Sequence, residues 1–318
     1  MLIVQKFGGS SLAGAERLRR AASIIADSAD AGNKVVAVVS ARGDMTDELL
    51  GQAQRISADP PVRELDALLS CGETGAAAMT AMQLADIGKR CVSLTGAQAG
   101  ILTDGVHGAA RILSIDTARI MRELDAGKIV VAAGFQGAER GGDTTTLGRG
   151  GSDTTAVELA AALKADRCEI YSDVDGIYTA DPRLVTGAVR LDSIDYGDML
   201  HLALHGSQVL HSRSVEAAMR ANVRVHLLSS FTRHEGTVMC KLDDRSGLCG
   251  VTRDPSLGTV SIIGREADAH VLAEAVAALA HSDIIVTRTE LFDGGCSLFV
   301  SPDRLLPALE ITHRRFFR

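Results

Sequence analysis

Several features that mark common classes of protein are absent from this 318-residue chain. Its six cysteines include no C-x-x-C pair and follow no regular spacing, which argues against a disulfide framework and against a zinc site. No apolar run approaches the length of a membrane span. The first residues, Met1 to Val4, lack the basic region of a signal peptide. We therefore expect a reduced, cytoplasmic protein with free thiols.

Positive charge is also scarce. The chain carries 40 acidic and 33 basic residues, giving a formal net charge of −7. This balance argues against nucleic acid and against an anionic membrane as general partners. An acidic protein that binds anions has to concentrate its positive charge locally, so we expect small-molecule substrates in a defined cleft.

Two well-known phosphate-binding signatures are missing as well. No G-x-x-x-x-G-K-[ST] loop occurs anywhere in the chain. The stretch from Gly148 onward, GRGGSD, places Asp153 where a dinucleotide fingerprint needs its third glycine. A dinucleotide-dependent oxidoreductase is therefore disfavoured.

One pattern recurs along the chain: a helical stretch, a turn with a basic residue, and then an apolar, β-branched run. The runs are VVAVVS from Val35, CVSL from Cys91, IVVAAG from Ile129, CEIY from Cys168 and VHLLS from Val225. Strands that alternate with helices predict an α/β fold with a mainly parallel sheet and helices on both faces. Ligands of such folds bind beyond the carboxyl ends of the strands, so the polar residues there are the candidates for chemistry.

The stretch from Gly142 to Arg183 is the most informative of these regions. A loop rich in Gly, Thr and Ser precedes a helix predicted over 154–163, with Ser152 or Asp153 as its cap. Unpaired N–H groups and the helix dipole make such a helix start a site for anions. The alternative is an ordinary connection that happens to be rich in glycine. Phosphate chemistry is the better interpretation, because an ordinary connection is short and needs one glycine.

Other loops add weaker signals. Lys6 precedes Gly8 and Gly9, whose adjacent amides can form an anion-binding nest, although a tight turn is the alternative. Thr46 or Asp47 is predicted to cap the next helix. The sequence LLSCGE leads into a helix predicted near 74–84, which places Glu73 at a helix start.

Composition changes at a charged linker near 241–247. Beyond it we predict strand 259–263, helix 269–281, strands 284–288 and 297–300, and a last helix ending at Arg318. This β-α-β-β-α order resembles a ferredoxin-like unit without its final strand. The exposed strand edge left by that gap invites pairing, so we expect a homodimer.

A set of motifs, in this order and spacing, resembles the aspartate kinases of the amino-acid-kinase fold. They are KFGGSS, SARGDMTDELL, LLSCGE, TGAQAGILTDGVHGAARI, VVAAGFQG, TTLGRGGSDTTA, YSDVDGIYTADPR and VLHSRSVEAA. The resemblance implies a three-layer αβα sandwich over residues 1–240, with a substrate lobe to about residue 165 and a nucleotide lobe over 166–240. Residues 248–318 resemble a shortened ACT regulatory module, a small α+β domain.

The resemblance implies that MgATP phosphorylates the β-carboxylate of L-aspartate to 4-phospho-L-aspartate, the first step of the aspartate-family amino acid pathway. An aspartate carboxyl group, with a pKa of about 3.9, is already ionised at neutral pH and needs no general base. Catalysis then has to come from alignment and from neutralising the charge on the moving phosphoryl group. Mg²⁺ would be held mainly by the phosphates, so no metal ligands are predicted in the protein.

The resemblance also implies roles for individual residues. Lys6 and Asp153 match the catalytic pair. Ser40, Thr46, Glu73, Arg149 and Ser152 match substrate-binding positions; Arg149 would grip the α-carboxylate, and Glu73 would help to reject acids without an amino group. The nucleotide-binding positions are Lys6, Phe7, Gly8, Gly9, Ser10, Ser172, Asp173, Tyr178, Arg183 and Gln208.

Two departures from the family pattern leave alternatives open. Gln208 stands where the family usually has lysine, and an amide cannot neutralise phosphate charge, although Arg213 is a candidate substitute. The shortened ACT module predicts weak feedback inhibition by lysine or threonine. The alternatives to an aspartate kinase are a kinase for another small amino diacid or a phosphonate, and a non-catalytic kinase-like regulatory subunit.

Overall fold

The computed structural model describes residues 1–232, 234–243 and 247–317. Residues 244–246 of the predicted linker, and Arg318 at the predicted end of the last helix, lie outside this range. The helices are α1 (Gly9–Leu12), α2 (Gly14–Asp30), α3 (Met45–Ile56), α4 (Val62–Asp86), α5 (Ala118–Asp125), α6 (Gly151–Ala162), α7 (Tyr196–Leu204), α8 (Ser212–Ala221), α9 (Ala269–Ala280) and α10 (Leu305–Phe316). The strands are β1 (Leu2–Phe7), β2 (Lys34–Val39), β3 (Cys91–Leu94), β4 (Ile101–Thr103), β5 (Ile112–Ile115), β6 (Ile129–Ala133), β7 (Gln136–Ala138), β8 (Thr144–Thr146), β9 (Arg167–Ser172), β10 (Ser193–Ile194), β11 (Val225–Ser229), β12 (Thr237–Met239), β13 (Leu248–Asp254), β14 (Thr259–Gly264), β15 (Arg288–Phe292) and β16 (Gly295–Phe299).

The chain forms two compact units. The first contains Met1–Asp175 and Arg220–His234, and the second contains Gly176–Met219 and Glu235–Arg318. The division of the chain predicted from sequence, at residues 165 and 240, stays a prediction. Among the described residues, no helix combines the length and the apolar character that a membrane crossing requires.

The first unit is built on a parallel sheet with the strand order β11-β9-β1-β2-β6-β3. The buried runs of its central strands β2 and β6 are apolar throughout because helices cover both faces. Phe7 belongs to the core formed with α2, where it packs with residues such as Ile25. Lys6, its neighbour in β1, reaches Asp153 on α6. Since successive side chains of a strand point to opposite faces, α2 and α6 lie on opposite sides of the sheet. The predicted α/β fold is therefore confirmed.

A second, small sheet in the same unit has the strand order β5-β4-β7-β8. Its last strand, β8, runs directly into the glycine-rich loop that precedes α6. The small sheet therefore determines where that loop begins.

The second unit contains an antiparallel sheet with the strand order β13-β14-β16-β15. Its core combines this sheet and the helices α9 and α10 with two residues from much earlier in the chain, Ala180 and Val185. The antiparallel C-terminal domain expected from the sequence is thus present, with a core that extends beyond residues 248–318.

Two details predicted for this region are wrong. The strand predicted over 284–288 begins only at Arg288 and runs to Phe292 as β15, because a turn with a left-handed φ of 54° at Asp283 and a hydrogen bond from the N–H of Ile284 to the carbonyl of Leu279 comes first. The predicted lack of a fourth strand is also wrong, because the unpredicted strand β13 pairs with β14 on the side opposite β16. The sheet still ends at the edge strands β13 and β15, and the homodimer and the weak feedback inhibition both stay predictions.

Candidate active site

The loops after β1 and β2 touch through their backbones at the carboxyl edge of the parallel sheet. Gly9 accepts a hydrogen bond from the N–H of Gly43 at 3.0 Å. A Cβ atom on Gly9 would lie only 2.7 Å from the carbonyl oxygen of Ala41. Gly8 donates its N–H to the carbonyl of Tyr171, at 3.2 Å. Gly9 is therefore required for close backbone approach, whereas a Cβ atom on Gly8 would lie at an ordinary 3.5 Å from Nζ of Lys6. Helix α1 begins directly at Gly9.

Lys6 and Asp153 form an ion pair at this edge. The Nζ atom of Lys6 lies 2.5 Å from Oδ1 of Asp153, and the lysine is only 8% exposed. Asp153 belongs to the first turn of α6, so the ammonium group lies beside a helix start. A buried cation next to unpaired helix amides can stabilise the negative charge of a phosphoryl group.

The start of α6 differs from the prediction. The helix begins at Gly151, and its N-cap is Gly150 in a left-handed conformation with φ of 70° and no side-chain cap. The predicted capping by Ser152 or Asp153 is therefore wrong, and Asp153 instead faces Lys6. Ser152 packs closely on the end of β6, because a Cβ atom on Gly134 would lie 2.9 Å from its Oγ.

Glu73 lies in the middle of α4, whose continuous course from Val62 to Asp86 contradicts the predicted helix start near Thr74. Its Oε1 accepts the N–H of Ala41 at 3.1 Å, which places the carboxyl group under the loop after β2. Glu73 is 3% exposed, and its Oε2 has no hydrogen-bond partner among the described residues. Burial raises the pKa of Glu73 to about 7, although the Ala41 N–H acts in the opposite direction.

The remaining substrate-side residues are less constrained. Ser40 follows β2, is half-buried and donates its N–H to the carbonyl of Phe7. Thr46 lies in the first turn of α3, whose N-cap is Asp44, so the capping predicted for Thr46 or Asp47 is wrong. Arg149 is exposed within the loop between β8 and α6.

The nucleotide-side residues fall into both units. In the first unit, the side chain of Phe7 is fully buried and stacks on Tyr171, so only its backbone is available to a ligand. The carbonyl of Ser10 accepts a hydrogen bond from Arg17. Ser172 ends β9 and its hydroxyl accepts the N–H of Val174, while Asp173 is exposed.

Three further nucleotide-side residues belong to the second unit. Tyr178 forms a backbone bridge with Arg190. Arg183 binds both carboxylate oxygens of Asp181, at 3.0 and 2.8 Å, which lowers the pKa of Asp181. Gln208 is exposed between α7 and α8. The structure therefore divides the predicted residues between the two units, and a nucleotide pocket containing all of the nucleotide-side residues stays a prediction.

Sequence reasoning missed two residues near the site. Phe135, after β6, has a left-handed φ of 67°, which is unusual for an aromatic residue and marks a constrained backbone. Asp66 lies on α4, is 1% exposed and bonds to the end of β8. Asp66 precedes Glu73 by seven residues, so a second carboxylate on the same face of the helix was the available signal.

Comparisons with known proteins agree on one family. Residues 1–229 match the Amino acid kinase family. The aspartokinase of Mycolicibacterium smegmatis is 47% identical over 290 residues, covering 89% of this chain and 69% of that protein. The aspartokinase of Corynebacterium glutamicum is 48% identical over 289 residues, with the same coverage of both chains.

Solved structures give the same result. The aspartate kinase from Synechocystis has a TM-score of 0.70 and 37% identity, covering 99% of this chain and 55% of that one. E. coli aspartokinase III, solved in complex with aspartate and ADP, has a TM-score of 0.71 and 25% identity, covering 98% of this chain and 84% of that one. This chain thus spans about half of the Synechocystis protein and over two thirds of the curated relatives. It belongs to the aspartokinases, within the amino acid kinase family.

Proposed function

We propose that this chain transfers the γ-phosphoryl group of ATP to the β-carboxylate of L-aspartate. A carboxylate oxygen attacks the γ-phosphorus, the bond from that phosphorus to the β–γ bridging oxygen breaks, and ADP leaves with the bond electrons. The products are 4-phospho-L-aspartate and ADP. No proton has to be removed from the nucleophile, because the carboxylate is already ionised.

The observation that carries this proposal is the buried Lys6–Asp153 ion pair beside Gly8, Gly9 and the start of α6. In the transition state, charge spreads over the oxygens of the transferring phosphoryl group. Lys6 would neutralise part of that charge, and Asp153 holds the Lys6 ammonium in place. The N–H of Gly9 would contact the phosphates, whereas the N–H of Gly8 already donates to the carbonyl of Tyr171. A Cβ atom on Gly9 would clash with Ala41.

Mg²⁺ would accompany ATP and neutralise the phosphate charge. Among the described residues, no group of three or more His, Cys, Asp or Glu side chains is placed to hold a metal ion. We therefore expect the phosphates to supply most of its ligands.

On the acceptor side, Glu73 would bind the substrate ammonium, because its buried Oε2 has no partner among the described residues. Arg149, in the loop that leads to Asp153, would bind the α-carboxylate through two parallel N–H bonds. Together these groups favour an α-amino diacid over a simple diacid.

Trapping the acyl phosphate with hydroxylamine tests the proposal. With MgATP, we expect hydroxamate from L-aspartate and little from succinate, which lacks the amino group, or from a phosphonate. Faster turnover of succinate or of a phosphonate would identify the chain as a kinase for another acceptor. No turnover of any acceptor would favour the regulatory-subunit alternative, which Gln208 in place of lysine suggests.

We also propose that feedback inhibition by lysine and threonine is weak. Adding both amino acids to the same assay and measuring the loss of hydroxamate formation tests this.

A further inference from the structure

Asp66 is a buried carboxylate that accepts four hydrogen bonds from two separate segments of the first unit. The hydroxyl of Thr146 donates to Oδ1 at 2.5 Å, and its N–H donates to Oδ2 at 3.0 Å. The N–H of Gly108 donates at 3.0 Å, and Nδ1 of His107 lies 2.9 Å from Oδ2. Asp66 thereby joins helix α4 to strand β8 and to the loop between β4 and β5.

The segment that Asp66 holds leads directly into the candidate site. Thr146 is the last residue of β8, and the loop that follows carries Arg149 on its way to Asp153. Gly148 and Gly150 in this loop are both left-handed, with φ of 74° and 70°. A loop with so many glycines has little stiffness of its own, so its course depends on how its two ends are held.

The two ends are anchored differently. Asp153 is held by its ion pair with Lys6, whereas Thr146 is held by Asp66. Asp66 lies two helical turns before Glu73, which contacts Ala41 from the same side of α4. One helix therefore holds both the loop after β2 and the beginning of the loop that carries Arg149.

We propose that Asp66 is a positioning residue for phosphoryl transfer: by fixing the end of β8, it sets the place of Arg149 relative to Glu73 and so governs how the acceptor is aligned. This inference rests on the proposed function, because it assigns Arg149 and Glu73 to the acceptor. A small displacement of such groups costs rate even where the fold is intact.

Substitution of Thr146 tests this role while the Asp66 side chain itself is kept unchanged. Thr146→Val removes the hydroxyl donor and keeps the shape of the side chain, and Thr146→Ser restores the donor. Thr145→Val is the matched control, because Thr145 is its buried neighbour on β8 and its hydroxyl bonds to Thr103 at 2.7 Å, away from Asp66. Both valine variants lose one buried hydroxyl bond on the same strand.

We expect Thr146→Val to raise KM for L-aspartate roughly tenfold while KM for ATP changes less than about twofold, and Thr146→Ser to restore the wild-type value. Thr145→Val should lower the unfolding temperature and leave both KM values unchanged. The proposal is overturned if both valine variants lose stability alike with no change in KM for aspartate. It is also overturned if Thr146→Val raises both KM values equally.

Amide hydrogen exchange over residues 147–153 separates this inference from the proposed function. Faster exchange there in Thr146→Val, and not in Thr145→Val, supports the anchoring by Asp66 whatever the acceptor is. If the wild-type protein does not phosphorylate aspartate, the proposed function fails, and exchange still decides the inference. Equal exchange in the wild type and in both variants overturns it.

Discussion

At the scale of single residues, Lys6 is the side chain on which the proposed chemistry depends most. We expect Lys6→Ala to lower kcat for hydroxamate formation by about 10²- to 10³-fold, the usual cost of removing one group that stabilises transition-state charge. Lys34→Ala is a suitable control, because Lys34 is an exposed lysine at the start of β2 that pairs with Asp125. A Lys6→Ala enzyme with a kcat within a few-fold of wild type would contradict the assignment.

Glu73 makes a separate prediction about stability and pH. Its folded-state pKa of about 7 lies above the ordinary value of 4.5, so between these pH values the folded chain keeps a proton that the unfolded chain has released. The free energy of unfolding therefore falls as pH rises through this window, by about 3 kcal/mol in total. Glu73→Gln cannot lose that proton, so its stability relative to wild type should improve by a similar amount as pH rises.

Urea unfolding at several pH values measures this difference for Glu73→Gln. Glu48→Gln, on the exposed first turn of α3, controls for the change of a carboxylate to an amide. If the difference between Glu73→Gln and wild type is the same at both ends of the window, the carboxyl group is not held in its neutral form by burial.

At the scale of elements, the contact between the loops after β1 and β2 depends on Gly9. A Cβ atom there would lie 2.7 Å from the backbone oxygen of Ala41, which cannot move without moving the end of β2. We expect Gly9→Ala to raise KM for ATP and to lower the unfolding temperature. Gly75→Ala is the control: a Cβ atom on Gly75, within α4, meets nothing within 4 Å. It should stabilise the protein by about 0.5–1 kcal/mol.

Kinetic and thermal measurements on this pair of variants distinguish crowding from the general effect of replacing glycine. An unchanged KM for ATP in Gly9→Ala would show that the loop tolerates a methyl group, and that close backbone approach is not required there.

The same elements show how far sequence reasoning reaches. The buried strands and the polar residues at their carboxyl ends were predictable, because apolar runs and glycine-rich loops are local signals. Helix α4 was predicted too short: its start was placed near Thr74, whereas the helix runs from Val62 to Asp86. Position 72 within it is glycine because a Cβ there would lie 2.9 Å from the Cβ of Ala41. Asp66 was missed for a related reason: its partners, Gly108 and Thr146, are distant in sequence.

At the scale of the whole molecule, the second unit draws its core from two distant parts of the chain. Ala180 and Val185 pack in the same core as Ile262 and Leu309. The Thr179 hydroxyl bonds to Nε2 of His313 on α10 at 2.8 Å, and burial lowers the pKa of His313, which favours its neutral form. The segment that carries Tyr178 and Arg183 therefore relies on residues beyond 248 for its packing.

A chain that ends at Asp243 tests this dependence against the predicted catalytic domain of residues 1–240. Removal of β13–α10 would expose Ala180 and Val185, so we expect the shortened chain to lose cooperative unfolding in its second unit and to bind ATP poorly. His313→Ala removes one hydrogen bond and leaves the apolar core in place, so it should fold and lose only about 1–2 kcal/mol. The unfolding temperature and the KM for ATP are measured for the shortened chain and for His313→Ala. If the shortened chain keeps wild-type values of both, residues 1–240 form a self-sufficient catalytic domain, and the shared core is dispensable.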